Sequence, residues 1–158
     1  TGRFQLINLV YTLLNPTASV GGAASKATPN FGGVIEYANA HGVGVAVYSP
    51  LAGGTLTDHG LAGGGPHRLS QRGGGPATDP FAEARARARE QAAKFAFLSQ
   101  PGSRTLAQSA TRFILDNPDV TTVLGGFSDT AQMEEACAAV EQASLEPYLD
   151  RIGRVWQS

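Results

Sequence analysis

Short apolar runs alternate along the chain with segments of helical periodicity. Three runs have the length of strands and are rich in Leu, Ile or Val, namely residues 4–10, 43–48 and 120–124. We expect each to form a β-strand, and we expect the first to be buried on both faces. Asn8 is a polar side chain within that first run, and it therefore needs a hydrogen-bonding partner.

Five segments are predicted to be helices, because they have apolar residues at helical spacing, residues typical of helix ends, or both. They cover about residues 29–41, 79–98, 105–116, 128–140 and 145–156. Pro29 and the Asp79-Pro80 pair are typical helix starts, and Gly42 is a typical C-terminal cap. Thr105 and Gln108 have capping-box spacing. The buried side chains that the spacing predicts for the fourth helix are Met133, Cys137 and Val140.

A long segment without periodicity, residues 50–78, contains two triple glycines. A loop of this length within a compact domain is usually functional or disordered, and dense glycine favours mobility. We therefore expect residues 58–78 to form a mobile glycine-rich loop.

Alternation of strands and helices predicts parallel strands joined by right-handed crossovers, and thus an α/β fold. Three parallel strands make only a partial sheet with two exposed edges, which a stable domain does not normally tolerate. The first residue is Thr1 rather than Met. We therefore expect residues 1–158 to be part of a longer chain.

Composition narrows the classes of partner. The 158 residues are 42% hydrophobic and 16% charged, as in a single globular domain. The formal charge of −1 gives no electrostatic reason to expect nucleic acid or an anionic membrane as a partner. No apolar run approaches the roughly 20 residues of a membrane span. Cys137 is the only cysteine, which excludes an intrachain disulfide and fits a cytoplasmic location.

Polar or small residues follow or end each predicted strand: Asn8 and Tyr11 on the first, Tyr48 and Ser49 on the second, and residues 125–128 on the third. The carboxyl ends of parallel strands meet at one edge where α/β proteins bind ligands, so we expect these groups to converge. Asn8 offers an amide that either pairs with a ligand carboxamide or ties two strands together. Tyr48 either stacks on a planar heterocycle or covers the core. Ser49 and the amides near Gly53 either hold phosphate oxygens or form a simple turn.

Residues 125–128 open a helix whose free amides suit a phosphate. Few residues of the chain suggest a catalytic or metal-binding site. His59 and His67 lack the carboxylate or cysteine spacing of a metal site, so we predict none. No nucleophile, histidine and acid set is readable, so we predict no catalytic residue in the chain.

From Phe4 to about Val140 the chain resembles the C-terminal part of an aldo-keto reductase. Segment 4–15 is similar to the sixth strand of that family's barrel, segment 41–54 to the seventh strand and its loop, and segment 120–140 to the eighth strand and the following helix. The resemblance implies about three strands of a (β/α)8 TIM barrel that uses a nicotinamide cofactor, usually NADPH.

The resemblance also implies the roles of individual residues. Asn8 stands where a glutamine commonly holds the nicotinamide carboxamide, and Tyr48 stands where a tyrosine stacks on the nicotinamide ring. The pyrophosphate contacts fall on Ser49, Leu51 and Gly53. The positions that match those around the adenosine 2′-phosphate and the adenine are Gly126, Ser128, Gln132 and Glu135. Many relatives have Arg or Lys near the 2′-phosphate, where this chain has Gly126, Ser128 and Gln132. The resemblance therefore implies NADP as the expected cofactor, and the missing positive charge keeps NAD possible.

The same resemblance assigns the catalytic Asp, Tyr, Lys and His to the first four barrel strands, before residue 1. We therefore expect the chain to be the cofactor-binding part of an oxidoreductase that acts on an aldehyde, a ketone or a sugar lactol, and to be inactive alone. The alternative is a non-catalytic interaction module, or a degenerate fragment, derived from the same barrel. In either case the exposed sheet edges would pair with the N-terminal barrel half or with another chain.

Overall fold

The computed structural model describes residues 2–22, 24–64 and 82–158. Its strands are β1 (Leu6–Leu9), β2 (Gly44–Tyr48) and β3 (Thr122–Leu124). Its α-helices are α1 (Val34–Ala40), α2 (Asp58–Leu61), α3 (Ala82–Ala93), α4 (Leu106–Leu115), α5 (Thr130–Ala138) and α6 (Leu149–Gln157). Short 3-10 turns cover Val20–Gly22, Ala52–Gly54, Ala96–Leu98, Ala139–Glu141 and Glu146–Tyr148. The three predicted strands are confirmed, each somewhat shorter than the apolar run that contains it.

The strands form one parallel sheet in the order β1-β2-β3. Its register pairs Asn8 with Ala46 and Ala46 with Thr122, and it pairs Tyr48 with Leu124. Parallel pairing requires crossover connections, and α1 and α4 precede β2 and β3 respectively. The predicted α/β order is therefore confirmed.

One face of this sheet is covered by helices and the other is open. Leu9, Val45 and Val47 belong to the core on the covered face. Because side chains alternate along a strand, Leu6, Asn8, Tyr48 and Leu124 share the opposite face, and all four are exposed. The expectation that β1 is buried on both faces is therefore wrong, since no described element covers its second face.

Helix α4 supplies much of the covered face. Thr105 and Gln108 form the predicted capping box, in which each side chain accepts the other residue's backbone N–H. The buried residues of the helix are Leu106, Ala107, Ser109, Ala110, Phe113 and Ile114. They recur at three- and four-residue spacing, as expected for an amphipathic helix on a sheet.

Helix α1 begins at Val34 rather than at Pro29. The carbonyl of Pro29 accepts hydrogen bonds from Asn15 Nδ2 and Thr17 Oγ1, which hold this residue in the preceding loop. Gly33 then takes the N-cap with a φ of 70°, a left-handed conformation that favours glycine. The predicted C-terminal stop is confirmed: His41 is the C-cap, and Gly42 follows with a φ of 68°.

The burial predicted for α5 is wrong. Met133 and Val140 are 46% and 63% exposed, and Cys137 is exposed as well. The helix instead lies against α4, where the Glu135 carbonyl accepts a hydrogen bond from Gln108 Nε2. Apolar spacing defined a helix here, but the neighbouring elements cover a different side of it.

The segment before α4 departs from prediction in two ways. Helix α3 ends at Ala93, and a 3-10 turn over Ala96–Leu98 continues the chain towards α4. Phe95 and Leu98 are buried. Residues Asp58–Leu61 are helical, although they lie within the predicted loop 58–78. The rest of that loop from residue 65, together with the predicted helix start at Asp79-Pro80, lies outside the described residues.

The predicted C-terminal amphipathic segment is confirmed as α6. Ile152 is fully buried, and Trp156 Nε1 donates a hydrogen bond of 2.8 Å to the carbonyl of Leu13. The helix thereby fastens the loop after β1 to the core. Of the helices in the described ranges, none is both long and apolar enough to cross a bilayer.

A matched pair of substitutions tests the packing of α4 and α5. Ile114→Ala removes a fully buried side chain, so we expect the free energy of unfolding to fall by about 2–5 kcal/mol. Met133→Ala removes an exposed one, and its cost should stay within about 0.5 kcal/mol. Chemical denaturation of the protein measures both values, and equal losses would contradict the exposed position of Met133 on α5.

Candidate functional site

Parallel pairing brings the carboxyl ends of the three strands to one edge of the sheet. They end at Leu9, Tyr48 and Leu124. The segments that follow include the Ser49–Gly54 turn and residues 125–128. The convergence that the sequence predicted is therefore present, and the candidate site is this edge together with the open face beside it.

Tyr48 is the last residue of β2, and its side chain is 44% exposed. It shares the open face with Asn8, because Asn8 pairs with Ala46 two residues earlier on β2. Asn8 is also exposed. A flat ring and an amide group thus lie on the same accessible face, with Asn8 further from the carboxyl edge.

The turn after Tyr48 is conformationally strained. Ser49 and Ala52 have φ values of 55° and 48°, in the left-handed region that non-glycine residues rarely occupy. Hydrogen bonds of 2.9 Å from Ala52 N–H to the Ser49 carbonyl and of 3.0 Å from Gly54 N–H to the Leu51 carbonyl hold the turn. Such strain persists only where the surrounding structure imposes it, and it concentrates at binding sites.

Gly53 offers open backbone within this turn. Its φ is 68°, and a Cβ built on it would meet nothing within 4 Å. Gly54 is different, because its carbonyl lies where a Cβ on Gly60 would stand, so α2 packs directly against the turn. Leu51 is half-buried and anchors the turn in the core, whereas Ser49 and Gly53 are exposed. An approaching ligand would therefore meet Ser49 and Gly53 first.

Asp58 fixes this segment to the rest of the protein. Its Oδ1 accepts a hydrogen bond of 2.7 Å from Ser99 Oγ, and its Oδ2 accepts one of 3.0 Å from the Leu106 N–H in the first turn of α4. A carboxylate at a helix N-terminus is favoured by the helix dipole. The sequence pattern did not predict these contacts of Asp58, because both partners lie more than forty residues away.

The third strand end leads into the N-terminus of α5. Asp129 caps the helix by accepting the Gln132 N–H at 2.9 Å, and Gln132 Oε1 accepts the Ser128 N–H at 3.0 Å. Gln132 Nε2 also donates to Asp129 Oδ2. The side chain of Gln132 is therefore engaged in the cap, and a ligand contact by it would compete with these bonds.

The remaining candidates are placed as follows. Gly126 and Ser128 are exposed beside the carboxyl edge. Glu135 lies in the middle of α5 and is half-buried, with its carbonyl directed to Gln108 of α4. Of the nine predicted residues, Asn8 and Tyr48 share the open face, while Ser49, Leu51, Gly53, Gly126 and Ser128 follow the strand ends. Gln132 and Glu135 belong to α5.

A small cleft beside the turn was not predicted. Its volume is about 20 Å³, and it is lined by Gly53, Gly54, Thr55, Gly60, Gly64, Arg85 and Arg89. The two arginines lie one helical turn apart on α3 and are half-buried. Their i, i+4 spacing is visible in the sequence, but the sequence does not show that this side of α3 meets the turn.

A separate cavity of about 680 Å³ lies on the helical side of the sheet. Its walls include Tyr11, Phe113 and Trp156, and none of the nine predicted site residues lines it. Burial raises the pKa of the Tyr11 hydroxyl above its ordinary value, and hydrogen bonds to Asn117 and Ser19 offset part of this effect. Tyr11 is therefore a neutral core residue and not part of the open face, and the prediction that it joins the polar groups at the strand ends is wrong. Across the described ranges, no group of three or more His, Cys, Asp or Glu side chains is arranged to hold a metal ion.

The sequence model of the Aldo/keto reductase family matches residues 30–149, which is most of the chain. This protein therefore belongs to the aldo/keto reductase family. No curated protein matches its sequence.

Among solved structures, the chain is similar to the holo form of aldo-keto reductase AKR11C1 from Bacillus halodurans, with a TM-score of 0.58 and 21% identity. That match covers 99% of this chain and 44% of the AKR11C1 chain. The apo form gives a TM-score of 0.58 and 20% identity, with 98% and 44% covered. The chain thus spans less than half the length of that protein, and its fold is the predicted partial (β/α)8 barrel of three parallel strands with flanking helices.

The strain in the turn gives a prediction. Ala52→Gly should raise the free energy of unfolding by about 1 kcal/mol, because glycine adopts the left-handed region without the Cβ penalty. Ala86→Gly in the exposed interior of α3 is the control, and we expect it to lower stability by about 0.5–1 kcal/mol. Thermal denaturation of the protein measures both changes, and a destabilising Ala52→Gly would show that the turn is not strained.

Proposed function

We propose that residues 1–158 are the C-terminal part of a single barrel domain, and that they bind the nicotinamide cofactor of an NAD(P)H-dependent oxidoreductase. The substrate would be an aldehyde, a ketone or a sugar lactol. One observation carries the proposal: a half-exposed aromatic ring at the end of β2 is followed directly by a strained turn with open glycine backbone. A planar ring linked to a pyrophosphate has complementary chemistry.

The residues of this edge fit such a ligand. The Tyr48 ring is available for stacking, and the Asn8 amide on the same face provides both a donor and an acceptor for a carboxamide. Ser49, Leu51 and Gly53 would hold the pyrophosphate through hydroxyl and backbone groups. Gly126 and Ser128, followed by Gln132 and Glu135, would hold the adenosine end at the start of α5.

When bound, the cofactor supplies hydride transfer. The residues of this chain bind and orient it. A proton donor for the carbonyl oxygen would come from elsewhere in the barrel, because the described tyrosines other than Tyr48 lie off the open face. Tyr11 is buried on the helical side, Tyr37 is exposed on α1, and Tyr148 packs near Phe97.

NADP is the cofactor that we propose, with NAD as the alternative. Gly126, Ser128 and Gln132 are uncharged, so the positions expected near a 2′-phosphate provide hydrogen bonds without a fixed positive charge. The single cysteine of the chain agrees with a cytoplasmic location.

The open face requires a partner in this proposal. Phe4, Leu6 and Leu124 are 72%, 49% and 46% exposed, and three strands do not close a barrel of eight. We propose that the remaining strands of the barrel cover this face. The same apolar surface favours the second candidate function, a non-catalytic module that binds another chain along the β1 or β3 edge.

Replacing the ring tests the cofactor assignment. In the full-length protein we expect Tyr48→Ala to raise the Kd for NADP about tenfold, because a stacked aromatic contact contributes about 1–3 kcal/mol per planar base. Tyr48→Phe keeps the stacking face and should change little. Tyr37→Ala on the surface of α1 is the control. Fluorescence titration measures the four constants, and an unchanged Kd for Tyr48→Ala would contradict the stacking role.

A second experiment separates the two candidate functions. The 158-residue polypeptide alone should show no carbonyl reduction when NADPH oxidation is followed by absorbance, whereas the full-length protein should be active. Carbonyl reduction by the 158-residue polypeptide would contradict the proposal that this chain binds the cofactor and that the rest of the barrel supplies the proton donor. A full-length protein that neither binds the cofactor nor reduces carbonyls would instead support the interaction module.

A further inference from the structure

The cavity on the helical side of the sheet has the size of a ligand site. Its volume is about 680 Å³, within the roughly 300–1,000 Å³ that is usual for pockets that hold small molecules. One side is bounded by the end of α4, by residues 116–119 and by helix α6, and Tyr11 lines it from the segment after β1. None of the residues proposed above for the cofactor lines it, so its ligand would be a different molecule.

Three aromatic rings form a continuous cluster on this side of the cavity. The ring centroids of Tyr11 and Phe113 are 4.9 Å apart, and those of Phe113 and Trp156 are 5.8 Å apart. The hydrogen bond from Trp156 Nε1 to the carbonyl of Leu13 fixes the indole. Alkyl chains pack against such rings, and ammonium groups are attracted to their faces. The cluster therefore suits a ligand with both kinds of group.

The charged groups around the rings are all acidic. Five carboxylates line the cavity, those of Glu36, Asp116, Asp119, Glu146 and Asp150. No Lys, Arg or His occurs among its described lining residues. The sequence has the same imbalance, because residues 113–150 contain eight acidic residues and no basic one, although the whole chain has a formal charge of −1. A concave surface with charges of one sign concentrates ions of the other sign, so the lining favours a cation.

Three of the five carboxylates are held in place by donors from the protein. The donors are Arg112 for Asp116, Ser19 for Glu36 and Asn39 for Asp119. Arg112 is the only cation among them, so it balances a single carboxylate. Glu146 and Asp150 are exposed, and within the described ranges their side chains form no hydrogen bond or ion pair. The cavity thus combines fixed carboxylates with two that are available to a ligand.

We propose that this cavity binds a linear polyamine. Its ammonium groups would each meet a carboxylate, and the methylene chains between them would pack on the aromatic cluster. A metal ion fits less well, since no three His, Cys, Asp or Glu side chains in the part of the chain that the structure describes are arranged to hold one. The ligand would touch the segment after β1 as well as α4 and α6, and it would therefore stabilise their packing. This inference does not depend on the proposed function, because the cavity lies apart from the open face.

Titration with spermidine tests the proposal. Trp156 is the only tryptophan of the 158 residues and lines the cavity, so its fluorescence reports binding there. We expect saturable binding to the protein, and we expect the double variant Glu146→Gln/Asp150→Asn to raise the Kd about tenfold because it removes the two available charges.

The matched control is Glu134→Gln/Glu141→Gln, which removes two exposed carboxylates that do not line the cavity. Its Kd should stay within about twofold of that of the unmodified protein. Far-UV circular dichroism checks that both double variants keep their helices.

Three results would overturn the inference. Equal weakening by the two double variants would show a general attraction to acidic surface rather than a site. Displacement of spermidine by magnesium chloride at equal total charge would show an adventitious ion only. A Trp156 signal that does not saturate with spermidine would show that the cavity is not a polyamine site.

Discussion

Strand β2 is hydrogen-bonded on both sides, to β1 and to β3, and the positions of the other candidate groups follow from this pairing. The register aligns Asn8, Ala46 and Thr122 in one row and Tyr48 with Leu124 further along. Because side chains alternate along each strand, this register also decides which residues meet the helices. A shift of one residue would turn Val45 and Val47 to the open side and Tyr48 into the core.

Helix α4 is linked to the segment after β2 and to the C-terminal region. Its first turn is held to the segment after β2 by Asp58, through the Leu106 N–H. Its last turn is held to the C-terminal region, where Asp116 Oδ2 accepts the Leu145 N–H at 2.7 Å. Arg112 pairs with the same carboxylate at 2.7 Å, with both side chains largely covered. The turn beside Tyr48 and the helix α6 are therefore tied to one rigid element.

In the proposed function, the two faces of the sheet have different roles. The helical face holds the core and contains Tyr11 in a neutral, buried state, so it contributes stability. The open face and the carboxyl edge present the groups suited to a cofactor, and the same face exposes apolar side chains to the part of a barrel that would surround it. Cofactor binding and barrel closure would thus use adjacent surfaces. A bound cofactor is therefore expected to stabilise the closed barrel, and the closed barrel to strengthen cofactor binding.

The sequence by itself determined the strands and the helix cap, because the patterns that define them lie within a few neighbouring residues. The apolar runs gave the three strands, and the spacing of Thr105 and Gln108 gave the capping box, since a cap bonds within its own first turn. The ring of Tyr48 at a strand end followed from the same pattern. Tertiary structure decided which face each element buries: Met133 and Val140 have helical spacing but lie exposed, and Leu6 lies in an apolar run but faces an open side. Tertiary structure also decided the hydrogen bonds of Asp58 and the position of Arg85 and Arg89 beside the turn. These contacts join residues that are distant in the sequence, and hydrophobic periodicity does not indicate which distant segment will cover a given face.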